Sequence, residues 1–428
     1  MKGRIVYSTI STVPAYRLIT PKGLVKTRES ETRFEIGDWV DSETLEKLPD
    51  EEIQTTEEEV EAYLNENCKP KKFDFLVNES GMESIRPALE DAAAYLMRSI
   101  LESTPMIIRY HNDCDGLTSA LLIKKAIESY ALEKGIELRA VYKQADSAIY
   151  SRWELERDSE DALKWPKKPL MVFLDHAANQ ESEPQVLDLK QAGYPILIID
   201  HHPPADIVHA HCFASPHGAQ GDSNHNAGLL CYEVARMITG EAREELAWWS
   251  MQADHSSFRR SDEAHEPVAI DFVMRMTERP SIEKYEELLN NPIALELNYR
   301  KATVLLERAV ERAKQETKVK QRGELTYYLA DLSFLPKGGY PSKGKIINAI
   351  SKEHENEECV CLGYGDTTIL FRVSAKAHEK EYKANEVIAK LKKEFAGDIY
   401  SGGGHECAAS TRFKAGNTKK ILNRIQTL

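Results

Sequence analysis

Asp200-His201-His202 sets one carboxylate and two imidazoles side by side, directly after the apolar run Pro195 to Ile199 and before Pro203-Pro204. That run reads as a short interior strand, and the proline pair forbids its continuation. Oxygen and nitrogen donors delivered together at the carboxyl end of a buried strand make a candidate metal site, because open α/β sheets bind ligands at that edge. Two more apolar runs end in the same chemistry. Met106 to Tyr110 leads into His111-Asn112-Asp113-Cys114-Asp115-Gly116, whose alternate residues carry ligand-type side chains, and Leu170 to Leu174 leads into Asp175. On that alternation Cys114 points away from the ligands.

Such strand ends meet only if the strands share one parallel sheet. Helical periodicity from Met82 to Glu102, then strands and helices in alternation through Asp254, predict that sheet with its crossover helices. Residues 1 to 45 alternate polar and apolar positions around turn signals at Pro14, Pro21-Lys22-Gly23 and Gly37-Asp38, and read as a small, OB-like β-module. Tyr7, Tyr16, Phe34 and Trp39 there are either stacking faces or, the favoured reading for so small a module, its core. The acidic run with Glu57-Glu58-Glu59 reads as a solvated helical connector. Residues 282 to 318 are mostly helical in pattern. The last hundred residues alternate strand and helix again, with a hairpin through Tyr364-Gly365-Asp366-Thr367 and a helix from Ala384 to Phe395.

Taken in order, the motifs resemble those of the DHH family of phosphoesterases, named for the triplet at Asp200-His201-His202. The first family motif resembles His111-x-Asp113-x-Asp115-Gly116 with Thr118-Ser119-Ala120 opening the next helix, the second is Asp175, and the fourth is Asp254 in Gln252-Ala253-Asp254-His255. Far downstream, Ser401-Gly402-Gly403-Gly404-His405 with Ala408-Ala409 resembles the glycine-rich signature of the DHHA1-type domain that accompanies DHH domains. The family often has Pro-Gly after that histidine; here Glu406-Cys407 stand in its place. The subfamily most similar is that of the archaeal RecJ-like single-strand exonucleases. The resemblance implies a two-lobed α/β protein, with a parallel-sheet DHH domain and a smaller mixed α/β DHHA1 domain after the amino-terminal β-module. The expected segments are the β-module at 1–45, an acidic connector at 46–80, the DHH catalytic domain at 81–281, a helical connector at 282–322 and the DHHA1-type substrate-binding domain at 323–428.

Phosphodiester hydrolysis needs an ionised water and neutralised phosphate oxygens, which two divalent ions ~3.5–4 Å apart supply together. The metal set implied is His111, Asp113, Asp115, Asp175, His201 and Asp254, with Asp175 as the bridge. His202 would meet the phosphate, and Asp200 would fix an imidazole rather than bind an ion. Mixed imidazole and carboxylate ligation without thiolate favours Mn²⁺, with Mg²⁺ or Co²⁺ as substitutes. Side-chain-free backbone at Gly402, Gly403 and Gly404 lets amide groups approach a phosphate or ribose, with His405 and Arg372 as further contacts. Trp248 and Trp249 read as core. His209, His211, His217 and His225 read mostly as surface residues, although His225 precedes Asn226-Ala227-Gly228, which resembles a family helix start. His176 is a secondary ligand candidate.

A net charge of −13 argues against a uniformly basic nucleic-acid binder. The acidity is concentrated in the middle of the chain, however, and the first 40 residues and the last hundred are mildly basic, so both ends can contact phosphates. Seven scattered cysteines without paired zinc spacing point to free thiols in a reducing compartment. With no membrane-span or signal-peptide pattern, a cytoplasmic protein is expected. The reading is a Mn²⁺-dependent exonuclease on single-stranded DNA or RNA in repair or replication, in contact with replication or repair proteins. The alternatives are a short-oligonucleotide or small-nucleotide phosphodiesterase and a replisome-associated scaffold with little activity.

Overall fold

The computed structural model describes residues 1–261, 264–277, 280–336 and 338–428. It divides into two compact units: Met1–Ile270 with the segment ending at Asn290, and Asn291–Leu428 with the stretch beginning at Asp271. Among the described residues no helix is long and apolar enough to cross a membrane.

The first unit opens with β1 (Lys2–Ser8), β2 (Tyr16–Thr20), β3 (Gly23–Lys26) and β4 (Trp39–Asp41), an antiparallel sheet in the order β3-β2-β1-β4. This is an open sheet, not an OB-like barrel, because the outer strands β3 and β4 do not pair with each other and β4 has only three residues. Its aromatic residues are packing groups. Tyr16 lies buried edge-on to Phe34 with ring centroids 5.4 Å apart, and Tyr7 is capped by Arg139 at 4.2 Å and Arg17 at 5.4 Å. α1 (Asp50–Asn67) follows, carrying the acidic run. It is more than a solvated connector: Thr56, Val60 and Leu64, spaced by one turn, are buried against β1, β2 and α2 (Ser80–Leu101), and only the opposite face holds Glu57, Glu58 and Glu59 in solvent.

β5 (Met106–Tyr110), α3 (Cys114–Glu133), β6 (Ala140–Gln144), α4 (Arg152–Ala162), β7 (Leu170–Leu174), α5 (Glu183–Gln191), β8 (Ile196–Ile199) and β9 (Cys212–Ala214) build a parallel sheet in the order β6-β5-β7-β8-β9. β5, β7 and β8 are buried at every residue, as expected of parallel strands covered on both faces. The chain runs from β5 outward to β6 and then back to β7 on the other side of β5, so the strand order reverses between β5 and β7. Ligands of open α/β sheets bind beyond the carboxyl ends at such a reversal. α6 (Ala227–Thr239) and α7 (Glu244–Ala253) pack on α3. α8 (Glu266–Met276) is shared between the units, and α9 (Ile282–Leu289) belongs to the first.

The second unit contains α10 (Pro292–Gln315), β10 (Lys318–Arg322), β11 (Leu325–Asp331), α11 (Lys343–Glu353), β12 (Cys359–Tyr364), β13 (Thr368–Val373), α12 (Ala375–Glu379), α13 (Ala384–Glu394), β14 (Ile399–Gly404), β15 (Ala408–Phe413) and α14 (Thr418–Ile425). Its mixed sheet runs β10-β11-β12-β13-β15-β14, with only β11 and β12 parallel. The glycine run is therefore an edge strand rather than a loop, with Gly402 opposite Thr411 and Gly403 opposite Ser410.

Candidate metal centre

The loop after β5 turns at once into α3, and Gly116 permits it: a Cβ there would collide with the backbone of His111. Asp113 is the N-cap of α3, its Oδ1 accepting from Gly116 N at 3.0 Å, so the expected alternation through Asp113, Cys114 and Asp115 is replaced by a helix start. Cys114 is buried in the first helical turn. After β7, Asp175 takes the left-handed conformation, φ 54°, and after β8 come Asp200, His201 and His202. Asp254 ends α7 as its C-cap.

These positions bring seven side chains together. Three overlapping groups have ligand atoms within 4.8 Å of one another: His111, Asp113 and Asp175; Asp175, His201 and His202; Asp115, His201 and Asp254. Asp175 Oδ2 lies 3.1 Å from His111 Nδ1, while Oδ1 lies 3.4 Å from His201 Nε2 and 3.3 Å from His202 Nδ1. That Oδ1 is buried without a hydrogen-bond partner. His201 Nε2 also lies 3.2 Å from Asp254 Oδ2 and 3.5 Å from Asp115 Oδ2. A buried carboxylate oxygen left without a donor, among imidazoles that point their nitrogens at it, fits a divalent cation bound by hard oxygen and borderline nitrogen donors.

Charge is crowded here. Burial, then Asp175 and Asp254, push the Asp115 carboxyl far above its usual range. Burial also lifts Asp254, which Asp175 and Asp113 push further and His201 opposes, up to about 6. Burial works against protonated imidazole, yet Asp113 and Asp175 hold His111 above its ordinary value, and Asp200 leads in raising His202 to about 9. The site sets Asp113, Asp115, Asp175 and Asp254 beside only three imidazoles, an excess of negative charge that divalent cations would offset.

Asp200 joins none of the three groups. It is buried; its Oδ1 accepts from His202 Nδ1 at 2.8 Å and from His202 N at 3.0 Å, and its Oδ2 accepts from Ala178 N at 3.1 Å. His176 faces away, packed on Tyr150 and Phe173, and burial holds its ring down at about 3. Trp248 and Trp249 are only half-buried, beneath Arg260 and Arg243 respectively, so the core reading fails for them. The surface reading fails for His225, which is buried, and for His217, whose Nε2 reaches His201 O at 2.9 Å.

Sequence reasoning missed the groups that hold the ligands. Asp115 Oδ1 accepts from Gly228 N at 2.6 Å, Ser250 Oγ at 2.5 Å and Asn226 Nδ2 at 3.1 Å, and Oδ2 accepts from Ala227 N at 3.1 Å. His201 Nδ1 donates to Ser223 O at 2.9 Å, which turns Nε2 toward the carboxylates. The only trace of these contacts along the chain is the run His225-Asn226-Ala227-Gly228.

Residues 105–247 match the DHH family, N-terminal domain, and residues 341–428 match the DHHA1 domain. The chain carries a DHH-family domain followed by a DHHA1 domain. Among solved structures, the DHH domain of a member of the s1p family of ribosomal proteins is similar with a TM-score of 0.77 at 22% identity, covering 89% of this chain and 98% of that one. RecJ from Thermus thermophilus in complex with Mn²⁺ is similar at 0.54 and 14% identity, over 81% and 56%, and an exonuclease RecJ bound to manganese at 0.53 and 15%, over 79% and 94%. Likenesses this remote establish the fold. The uncharacterized protein MJ1198 of Methanocaldococcus jannaschii is 25% identical over 89% of this chain, which spans 59% of that relative's length.

The other expected site residues, Arg372, Gly402, Gly403, Gly404 and His405, lie in the segment that matches the DHHA1 domain. Arg372, on β13, pairs opposite Ala408 of β15, which separates it from the glycine strand β14. Its Nε donates to Asn348 Oδ1 at 2.5 Å. Gly403 is exposed and a Cβ there would meet open space; His405 is exposed in the tight turn between β14 and β15. In place of Pro-Gly, Glu406 anchors that turn through Lys383 at 2.8 Å and His378 at 2.6 Å.

Proposed function

We propose that this DHH protein is a Mn²⁺-dependent exonuclease that hydrolyses single-stranded DNA or RNA, in repair or replication. The observation that carries the reading is Asp175, whose two oxygens face two different groups of donors, as a carboxylate bridging two ions must. His111 and Asp113 would hold one ion with Asp175; His201, Asp115 and Asp254 would hold the other. Two bound divalent cations would supply an ionised water and neutralise the phosphate oxygens. His202, kept protonated by Asp200, donates to a non-bridging phosphate oxygen, and Asp200 keeps its ring aimed. Arg372, His405 and the glycine strand take the trailing nucleotides, with Mg²⁺ or Co²⁺ as weaker substitutes for Mn²⁺. The name RecJ and the bound Mn²⁺ of two similar structures support the same reading.

End-labelled single strands of about 20 to 40 nucleotides, several times the span of a typical single-strand groove, test it. Stepwise release of mononucleotides with Mn²⁺, stopped by a chelator, with duplex a poor substrate, is the expected result. Cleavage confined to dinucleotides would select a small-nucleotide phosphodiesterase instead. Binding to replication proteins with no hydrolysis under any metal would select the scaffold.

A further inference from the structure

The run 222–228 touches the site twice without supplying a ligand of its own: Ser223 O fixes the His201 ring, and residues 226–228 donate to Asp115. His225 holds the run itself. Its ring is buried, and Nε2 donates to Glu79 Oε1 while Nδ1 accepts from Asp222 N at 3.2 Å. Phe258 lies edge-on to it, with centroids 4.9 Å apart. The slot is cut to an imidazole, since a Cβ on Gly81 would come within 2.8 Å of Nε2 and one on Gly221 within 3.2 Å of Nδ1. Glu79 is fixed in turn as the N-cap of α2, accepting from Met82 N at 3.0 Å. A strut therefore runs from the first turn of α2 to the loop that orients His201 and Asp115.

We propose that His225, clamped by Glu79, is a positioning residue that sets the divalent-metal affinity of the site by holding the 222–228 run against His201 and Asp115. The proposal rests on the metal reading above. Partners that orient ligands are worth about 10–100-fold in metal affinity, and one layer further out the lower end applies. His225 touches neither an ion nor substrate in this scheme, so its effect travels only through the geometry of that run.

Calorimetric titration of the full chain with MnCl₂ tests it, with circular dichroism melting in chelator as the check on folding. His225→Phe fills the slot but lacks the donor; His225→Gln can still offer an amide N–H to Glu79. We expect folded His225→Phe to bind Mn²⁺ about tenfold more weakly, with its turnover recovered at high Mn²⁺, and His225→Gln to bind close to wild type. Wild-type affinity in folded His225→Phe overturns the proposal. Equal weakening in both variants, or unfolding of both, also overturns it by making His225 merely structural. Failure of the wild-type chain to bind Mn²⁺ is a separate result that removes the metal reading itself.

Discussion

Asp175 belongs to two of the three donor groups of the site. It sits at φ 54°, buried, with one oxygen lacking a donor and carboxylates on either side. Replacing it by alanine relieves that crowding while removing the group shared by two donor sets. Asp175→Ala should therefore fold and melt no lower than wild type in chelator, yet lose several orders of magnitude in turnover, since charge neutralisation by each ion is worth several kcal/mol. Near-normal Mn²⁺-dependent turnover in the purified variant would show the shared position to be dispensable. Asp254 gives the part of the pH dependence that falls near pH 6, beside Asp115 and His111, which are raised as well. The Asp254 carboxyl, raised to about 6, must ionise before it can ligate, so protons compete with metal below that value. Mn²⁺ affinity should fall by at least about tenfold per unit as pH drops below 6, the slope for one displaced proton. Titrations at several pH values that gave one constant affinity would exclude Asp254 as a ligand.

At the scale of elements, two buried charges test how the DHH scaffold is held. Arg109 projects from β5 into a closed network, its Nε 2.5 Å from Asp158 Oδ2 and its Nη1 3.0 Å from Glu154, with Tyr150 Oη also donating to Asp158 at 3.0 Å. Removing the cation leaves Asp158 buried with less compensation, so Arg109→Met should cost about 3–5 kcal/mol in chemical denaturation. Glu233, on α6, behaves oppositely. Burial drives its carboxyl up to about 7, against an unfolded value of 4.5, while Leu76 N at 2.7 Å and Arg236 at 3.0 Å partly oppose the shift. Because the folded value is the higher one, its stabilising contribution is complete below pH 4.5 and is lost as pH rises through 7. Glu233→Gln should melt higher than wild type at pH 8 and alike at pH 4.5; melting curves that kept the same difference at both pH values would contradict the shift.

For the whole molecule, the proposed exonuclease would have to capture nucleic acid as well as cut it. The net charge of −13 opposes non-specific binding, so on that proposal local contacts such as Arg372 and His405 would have to provide the grip. Arg372→Ala and His405→Ala should weaken single-strand binding in the full chain without altering Mn²⁺ affinity. Arg372→Ala should also show a shallower loss of affinity with salt than wild type, by about one released counterion. Unchanged affinity in both would reduce β14 and its turn to structural pieces.

Much of this was legible along the chain because buried parallel strands announce themselves. Leu170–Leu174 and Ile196–Ile199 are unbroken apolar runs, Met106–Tyr110 is interrupted only by Arg109, and the polar residues that end them can only stand at the sheet's carboxyl edge. That determined the class of fold and which side chains gather at the candidate metal centre. Tertiary structure decided what periodicity cannot carry. Asp113 became a helix cap because Gly116 lets α3 begin against His111, and the glycine run became an edge strand because β15 pairs with it. The amino-terminal sheet stayed open because its edge strands never meet. Above all, the hydrogen-bond partners that orient Asp115 and His201 come from residues 223–228 and Ser250, far along the chain. Hydrogen bonds of that kind depend on where helices pack, and packing is a property of the folded chain as a whole.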